Sequence, residues 1–202
     1  MDYPSFYDAV PTISLYDPLA EFLGAAEGGI LQYGYLDAVK LAGHSCPTVA
    51  SAYWSTRKAL DFLYPDATPV RGDIKAEFSQ DSASGVTGVI ANVVSMLTGA
   101  MSDNGFKGIA GRFDRRKKLF FAVEMPGEIR FTRLDTNRSV SVASNLQRVP
   151  SSPRVPELIS NCINNTATQQ EITEFRHLWQ ERVRRILLEH GDDPDVFVVT
   201  PA

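Results

Sequence analysis

The sequence predicts an α+β fold in which a mostly antiparallel sheet packs against helices, followed by a proline-rich linker and a long C-terminal helix. Three patterns support this fold class. Apolar and polar residues alternate over residues 74–79, which is typical of a half-buried strand. Three prolines punctuate residues 147–156. Residues 168–190 then show helical spacing behind a capping box formed by Thr168 and Glu171.

Composition limits the classes of function. The chain has 202 residues, of which 44% are hydrophobic. This is enough for one sizeable domain, or for a core domain with an appendage. The net charge is −4. The mild acidity argues against a nucleic-acid binder. No apolar stretch approaches the ~18 residues of a membrane span, so we expect no membrane partner. The two cysteines give no disulfide framework, which indicates a reduced, cytoplasmic protein.

The N-terminal residues 1–30 are predicted to form an arm that carries one short helix. Asp17 is a good N-cap and Pro18 is suited to the first helical position. Gly24 ends this helix, and the alternating residues 30–35 predict a short strand.

Residues 43–48, Gly-His-Ser-Cys-Pro-Thr, are the stretch around which the chain is organised. They contain one of two cysteines and one of three histidines. Pro47 suits the first position of a helix that extends to about residue 63, which makes Cys46 the N-cap. The positive end of the helix dipole favours the thiolate form of a cysteine there.

His44 and Cys46 are candidate metal ligands because side chains two residues apart in an extended segment leave the chain on the same side. An imidazole and a thiolate suit Zn²⁺, which takes four ligands, or three and a water. The remaining ligands must come from distant side chains such as His177, a second protomer, or water and ligand. Alternatively, Cys46 is a small packed hydrophobe and His44 is merely hydrogen-bonded. Asp37 either orients His44 or caps a short helix.

The middle of the chain predicts a buried helix followed by a hairpin. Residues 85–101 are small and apolar, with Asn92 and Thr98 as their polar exceptions. These two side chains either satisfy buried hydrogen bonds or line a pocket. Residues 102–111 form a glycine-rich loop, and the basic run 114–118 is either a solvated turn or a contact for an anionic substrate.

The 43–48 segment resembles the G-H-x-C-P signature of the FmdE family, which takes its name from a component of formylmethanofuran dehydrogenase. Residues 92–100 are similar to the family's D-A-I-Q-x-x-T-G-C block. Residues 106–108 and 113–117 are similar to the G-K-x-N-L and D-x-G-K stretches that follow. The resemblance covers roughly residues 15–125 and implies a pocket at G-H-x-C-P that carries a metal or a reactive thiol.

The chain departs from the family pattern at positions that matter for chemistry. Val89 and Ala100 stand where the family has cysteines, and Asn92 stands where it has aspartate. No paired cysteines are present to form the family's C-terminal zinc ribbon. The resemblance therefore does not carry over the chemistry of the dehydrogenase complex, whose metal–pterin and iron–sulfur centres lie on other subunits.

We therefore predict an FmdE-like core with its arm over residues 1–146, and a linker with a helical extension over 147–202. The function expected is zinc binding at an open site formed by His44 and Cys46, linked to one-carbon oxidoreductase metabolism. Two alternatives stay open. Cys46 could be a metal-free catalytic nucleophile with His44 as its base, or the chain could be an accessory subunit of a larger oxidoreductase. A homodimer that exchanges its C-terminal helix is also expected.

Overall fold

The structure is a computed structural model that describes residues 3–202. A five-stranded sheet covered by helices forms its centre. The predicted α+β class is confirmed. The strands are β1 (Ile13–Tyr16), β2 (Ile30–Tyr33), β3 (Ile74–Phe78), β4 (Leu119–Phe120), β5 (Ile129–Arg133), β6 (Ser139–Ser144) and β7 (Phe197–Pro201). The helices are α1 (Pro18–Phe22), α2 (Tyr35–Ala42), α3 (Pro47–Leu63), α4 (Thr87–Thr98), α5 (Val155–Ile163) and α6 (Gln169–Leu188).

The sheet has the strand order β4-β3-β5-β6-β7 and is antiparallel except for the two-residue pairing of β3 with β4. Along β6 the side chains alternate between buried and partly exposed, because one face packs on the core and the other is covered less. The short strand β7, near the C-terminus, forms one edge of the sheet. A separate two-stranded sheet pairs β1 with β2.

Helix α3 is the central element of the core. Most of its residues are buried, including Tyr53 and Trp54, whose polar tips must therefore find partners. The Tyr53 hydroxyl donates to the carbonyl oxygens of Pro11 and Tyr33, and Trp54 Nε1 donates to the carbonyl of Leu187. The helix thus contacts both the N-terminal arm and α6.

The C-terminal segment packs against the same core. Val183, Ile186 and Leu187 of α6 are fully buried, on the apolar face that the sequence spacing indicates. The segment also supplies β7 to the main sheet. No helix within residues 3–202 is long and apolar enough to cross a membrane.

Asp17 is a buried carboxylate that joins three distant parts of the chain. As the predicted N-cap of α1, its Oδ1 accepts hydrogen bonds from the backbone nitrogens of Leu19 and Ala20. Arg71 Nη1 donates to its Oδ2 over 2.8 Å, and Arg115 Nη2 donates to its Oδ1 over 2.6 Å. Asp17 and Arg115 are only 3% and 6% exposed.

This contact corrects the interpretation of the basic run 114–118 as a solvated turn. Arg116 and Lys117 are exposed as expected, but Arg115 is buried. Burial opposes ionisation of Asp17, yet the hydrogen bond from Arg71 and the charge of Arg115 hold the pKa of its carboxyl below the ordinary value. The pair therefore connects the arm to the loop before β4 as ionised groups.

We expect Asp17→Asn to lower the free energy of unfolding by about 3 kcal/mol, because it removes the counter-charge of two guanidinium groups while keeping a capping oxygen. Asp135 pairs with Arg133 at an exposed position, so Asp135→Asn is the matched control and should cost below about 1 kcal/mol. Urea denaturation of both variants measures the difference. Equal costs would contradict a structural role for the buried pair.

The same carboxylate predicts an acid-dependent loss of stability. Because the pKa of Asp17 is lowered on folding, its contribution is present above the ordinary aspartate pKa of about 4 and is lost as the pH falls through the lower folded value. The stability gap between wild type and Asp17→Asn should therefore narrow as the pH is lowered from about 5 to about 3. Urea titrations at several pH values check this, and a gap that widens on acidification would refute it.

Candidate functional site

The 43–48 segment joins the end of α2 to the start of α3. Gly43 ends α2 with a left-handed backbone, φ +75°, which glycine adopts without steric cost. Cys46 is extended and is the N-cap of α3, as predicted, and its Sγ accepts a hydrogen bond from the Val49 nitrogen over 3.4 Å. The thiol therefore lies at the positive end of a helix of 17 residues.

Helix α6 holds this segment through Ser45. The Ser45 hydroxyl donates to Gln180 Oε1 over 3.0 Å. Trp179 Nε1 and Gln180 Nε2 both donate to the Ser45 carbonyl oxygen, over 3.0 and 3.3 Å. Two adjacent residues of α6 thus bind both the side chain and the backbone of the residue between His44 and Cys46.

Two buried tyrosines complete the hydrogen-bond network behind Ser45. The Tyr35 hydroxyl lies 3.0 Å from the Ser45 hydroxyl, and Tyr7 donates to Gln180 Oε1 over 3.4 Å. Burial raises the pKa of both tyrosines above the ordinary value. Because the Ser45 hydroxyl donates its only proton to Gln180 Oε1, the protonated Tyr35 hydroxyl is the donor to Ser45.

His44 is exposed and its ring has a defined orientation. Nδ1 lies 2.9 Å from the Ala42 carbonyl oxygen and must carry the proton, because a carbonyl only accepts. In the neutral ring this leaves the lone pair on Nε2 free to bind a metal or accept a proton. Cys46 is only 8% exposed. The outer imidazole and the inner thiol are therefore the two reactive groups of the segment.

Both side chains line one cavity of about 490 Å³ between α3, α4 and α6. Its remaining walls are mainly apolar and are formed by Pro47, Thr48, Val86, Val89, Leu146, Trp179 and Arg182. A second cavity of about 460 Å³ adjoins it along the shared residues Thr48, Val86 and Leu146. The Arg182 side chain is held in place, since its guanidinium donates hydrogen bonds to the carbonyl oxygens of Leu146 and Val149.

Other residues considered from the sequence lie elsewhere. Asp37 accepts from the Gly34 nitrogen over 2.8 Å and caps α2, the second of its two predicted roles. His177 is exposed and does not line the cavity. Thr98 is buried and bonded to the Val94 carbonyl, whereas Asn92 is exposed in a separate groove. Across residues 3–202, no three His, Cys, Asp or Glu side chains are grouped so that they could hold a metal ion.

Comparison with known proteins adds no family assignment. No protein-family model matches the chain, and no curated protein matches it. The resemblance to the FmdE family therefore stays a prediction from the quoted sequence blocks, and the candidate site depends on the geometry described above.

The network behind Ser45 predicts that Gln180→Ala loosens the site. The substitution removes both hydrogen bonds to Ser45, which should cost about 1–2 kcal/mol of unfolding free energy. Amide hydrogen exchange over residues 43–48 should accelerate more than exchange in the sheet. Gln170→Ala, at an exposed position of the same helix, is the control and should change neither quantity. Unchanged exchange in Gln180→Ala would show that α6 does not hold the segment.

Proposed function

We propose that the cavity at residues 43–48 is the functional site, and that His44 and Cys46 bind a zinc-like ion there. The observation that carries the proposal is that both side chains line one cavity while the His44 Nε2 lone pair is left free by the Nδ1 hydrogen bond to Ala42. A nitrogen and a sulfur are donors that zinc prefers. The carbonyl partner on Nδ1 is a usual orienting contact of a ligating histidine.

The donor set fits an open site rather than a closed structural one. Residues 3–202 bring two ligands to the cavity where zinc takes four, so water, substrate or a second copy of the chain would fill the others. When bound, the ion would act as a Lewis acid or lower the pKa of a bound water. Trp179 and Val89, which line the cavity, would limit the entry of water. Helix α6 would keep the two ligands in place through its hydrogen bonds to Ser45.

Metal-free thiol chemistry is the second candidate, and the position of Cys46 as the N-cap of α3 favours it. Cys46 would attack an electrophile as the thiolate, which the positive end of α3 stabilises, and His44 would exchange protons. The mainly apolar walls and the adjoining cavity suit an uncharged, elongated substrate. No resolving thiol is near, because Cys162 lines a different cavity beside α5 and α6.

The biological context of the proposal follows the FmdE-like blocks. The resemblance supports a role in one-carbon oxidoreductase metabolism in the cytoplasm, with the chain as an enzyme or as an accessory subunit of a larger complex. A homodimer is part of the same proposal, because a second copy could add ligands to the two that His44 and Cys46 provide.

Metal analysis tests the proposal. Protein purified without chelator and dialysed against micromolar zinc should contain about one zinc per chain, as expected for one mononuclear site. Cys46→Ser and His44→Ala should each lose it. Cys162→Ser and His177→Ala remove the same residue types away from the cavity, so they should retain it.

Two outcomes would overturn the metal proposal: zinc-free wild type, or zinc that survives both site substitutions. Zinc-free protein in which iodoacetamide modifies Cys46 faster than Cys162 would support the thiol alternative. The more exposed Cys162 serves as the internal reference, because simple accessibility predicts the opposite order.

A further inference from the structure

A further cavity lies beside the Asp17 ion pairs, since both of their arginines line it. It has a volume of about 250 Å³ and is lined by three cationic side chains, Arg71, Arg115 and Lys118, with Phe113 as an aromatic wall. None of these residues contributes to the cavity that contains Cys46. Three cations at one small cavity need an explanation in a chain of net charge −4.

The anionic groups beside the cavity leave one positive charge in excess. Asp17 is shared between two arginines, so it compensates only one of them. Asp114 also lines the cavity, but its carboxylate accepts three hydrogen bonds from Arg116, whose charge compensates it. Asp73 lines the cavity and offsets Lys118. A guanidinium charge that is buried without full compensation is energetically costly.

Arg115 also has unused hydrogen-bonding capacity. Its Nη1 is buried and has no hydrogen-bond partner among residues 3–202. Asp17 does not supply one: its Oδ1 accepts from Leu19, Ala20 and Arg115 Nη2, and its Oδ2 accepts from Arg71. Lys118 Nζ donates to the Gly72 carbonyl and so has further donors to offer.

The backbone beside these donors is shaped to let the arginine in. Gly72 has φ +92°, and a Cβ at this position would lie 1.6 Å from Arg115 Nη1. Only glycine therefore permits the guanidinium to lie against the turn of residues 70–73. Because Gly72 covers Nη1, a ligand oxygen reaches that nitrogen only when the turn shifts.

We propose that this cavity binds a small oxyanion, a phosphate or carboxylate group, which compensates the surplus guanidinium charge and accepts hydrogen bonds from Arg115 and Lys118. Charge-assisted hydrogen bonds from arginine suit both groups, and phosphate offers more acceptor oxygens. Phe113 would contact the body of a molecule that carries the oxyanion. The site is independent of the proposed metal or thiol chemistry.

Calorimetric titration tests the proposal with inorganic phosphate in one arm and acetate in the other, at neutral pH and constant ionic strength. Wild type should bind phosphate saturably with a Kd of about 1 mM or tighter. Acetate binding of similar strength would identify a general oxyanion site, whereas phosphate binding alone would identify a phosphate site. Amide exchange of residues 70–73 should change on saturation, because the turn must shift.

Variants locate the binding. Arg115→Gln and Lys118→Gln should each weaken phosphate binding at least tenfold. Lys117→Gln removes one positive charge from a neighbouring exposed position and should leave the Kd unchanged. If Arg115→Gln fails to fold, Lys118→Gln and the wild-type titration still test whether the cavity binds the anion. No saturable binding of either anion, or equal weakening by Lys117→Gln, would overturn the proposal.

Discussion

The hydrogen bonds between α6 and Ser45 are the interaction on which the candidate site depends. They bring Gln180 and Trp179 against the one residue that separates His44 from Cys46. The helix end at Gly43 and the helix start at Pro47 confine the same short segment from both sides. The segment is thereby held by two helices along the chain and by a third across it, so its two reactive side chains lie on a rigid support.

The arrangement divides the two reactive groups by environment. His44 faces solvent with its ring oriented by a backbone carbonyl, and Cys46 is buried at the start of α3. Such a pair suits a ligand that enters from outside and reaches the thiol last. The two chemical proposals differ in what the imidazole does, as a ligand or as a proton carrier, and share the same cavity. Arg182 brings a positive charge to it, and main-chain carbonyls hold its guanidinium in place.

The elements that could be predicted from the sequence are those set by neighbours along the chain. The Asp17 and Cys46 caps and the Thr168–Glu171 capping box involve atoms within three residues of each other, so the local pattern contains the information. The sequence predicts the buried helix over 85–101, but α4 covers Thr87–Thr98, since Gly99 takes a left-handed backbone that ends it.

The contacts that could not be predicted join residues far apart in sequence. Ser45 and Gln180 are 135 residues apart, and Asp17 and Arg115 are 98 apart. A glutamine on a helix and an arginine in a basic turn look like solvated residues when only their sequence neighbours are considered, and only tertiary packing turns them towards partners. The sequence leaves two roles open for Asp37 for the same reason, since the choice depends on where His44 points.

X-ray absorption at the zinc edge, on zinc-loaded protein, tests the central claim most directly because it reads the ligand atoms. We expect one sulfur at about 2.3 Å, with nitrogen or oxygen ligands at about 2.1 Å in the other positions. The sulfur signal should be lost in Cys46→Ser but not in Cys162→Ser. A zinc shell without sulfur, or a sulfur signal that survives Cys46→Ser, would contradict the assignment of His44 and Cys46 as a metal-binding pair.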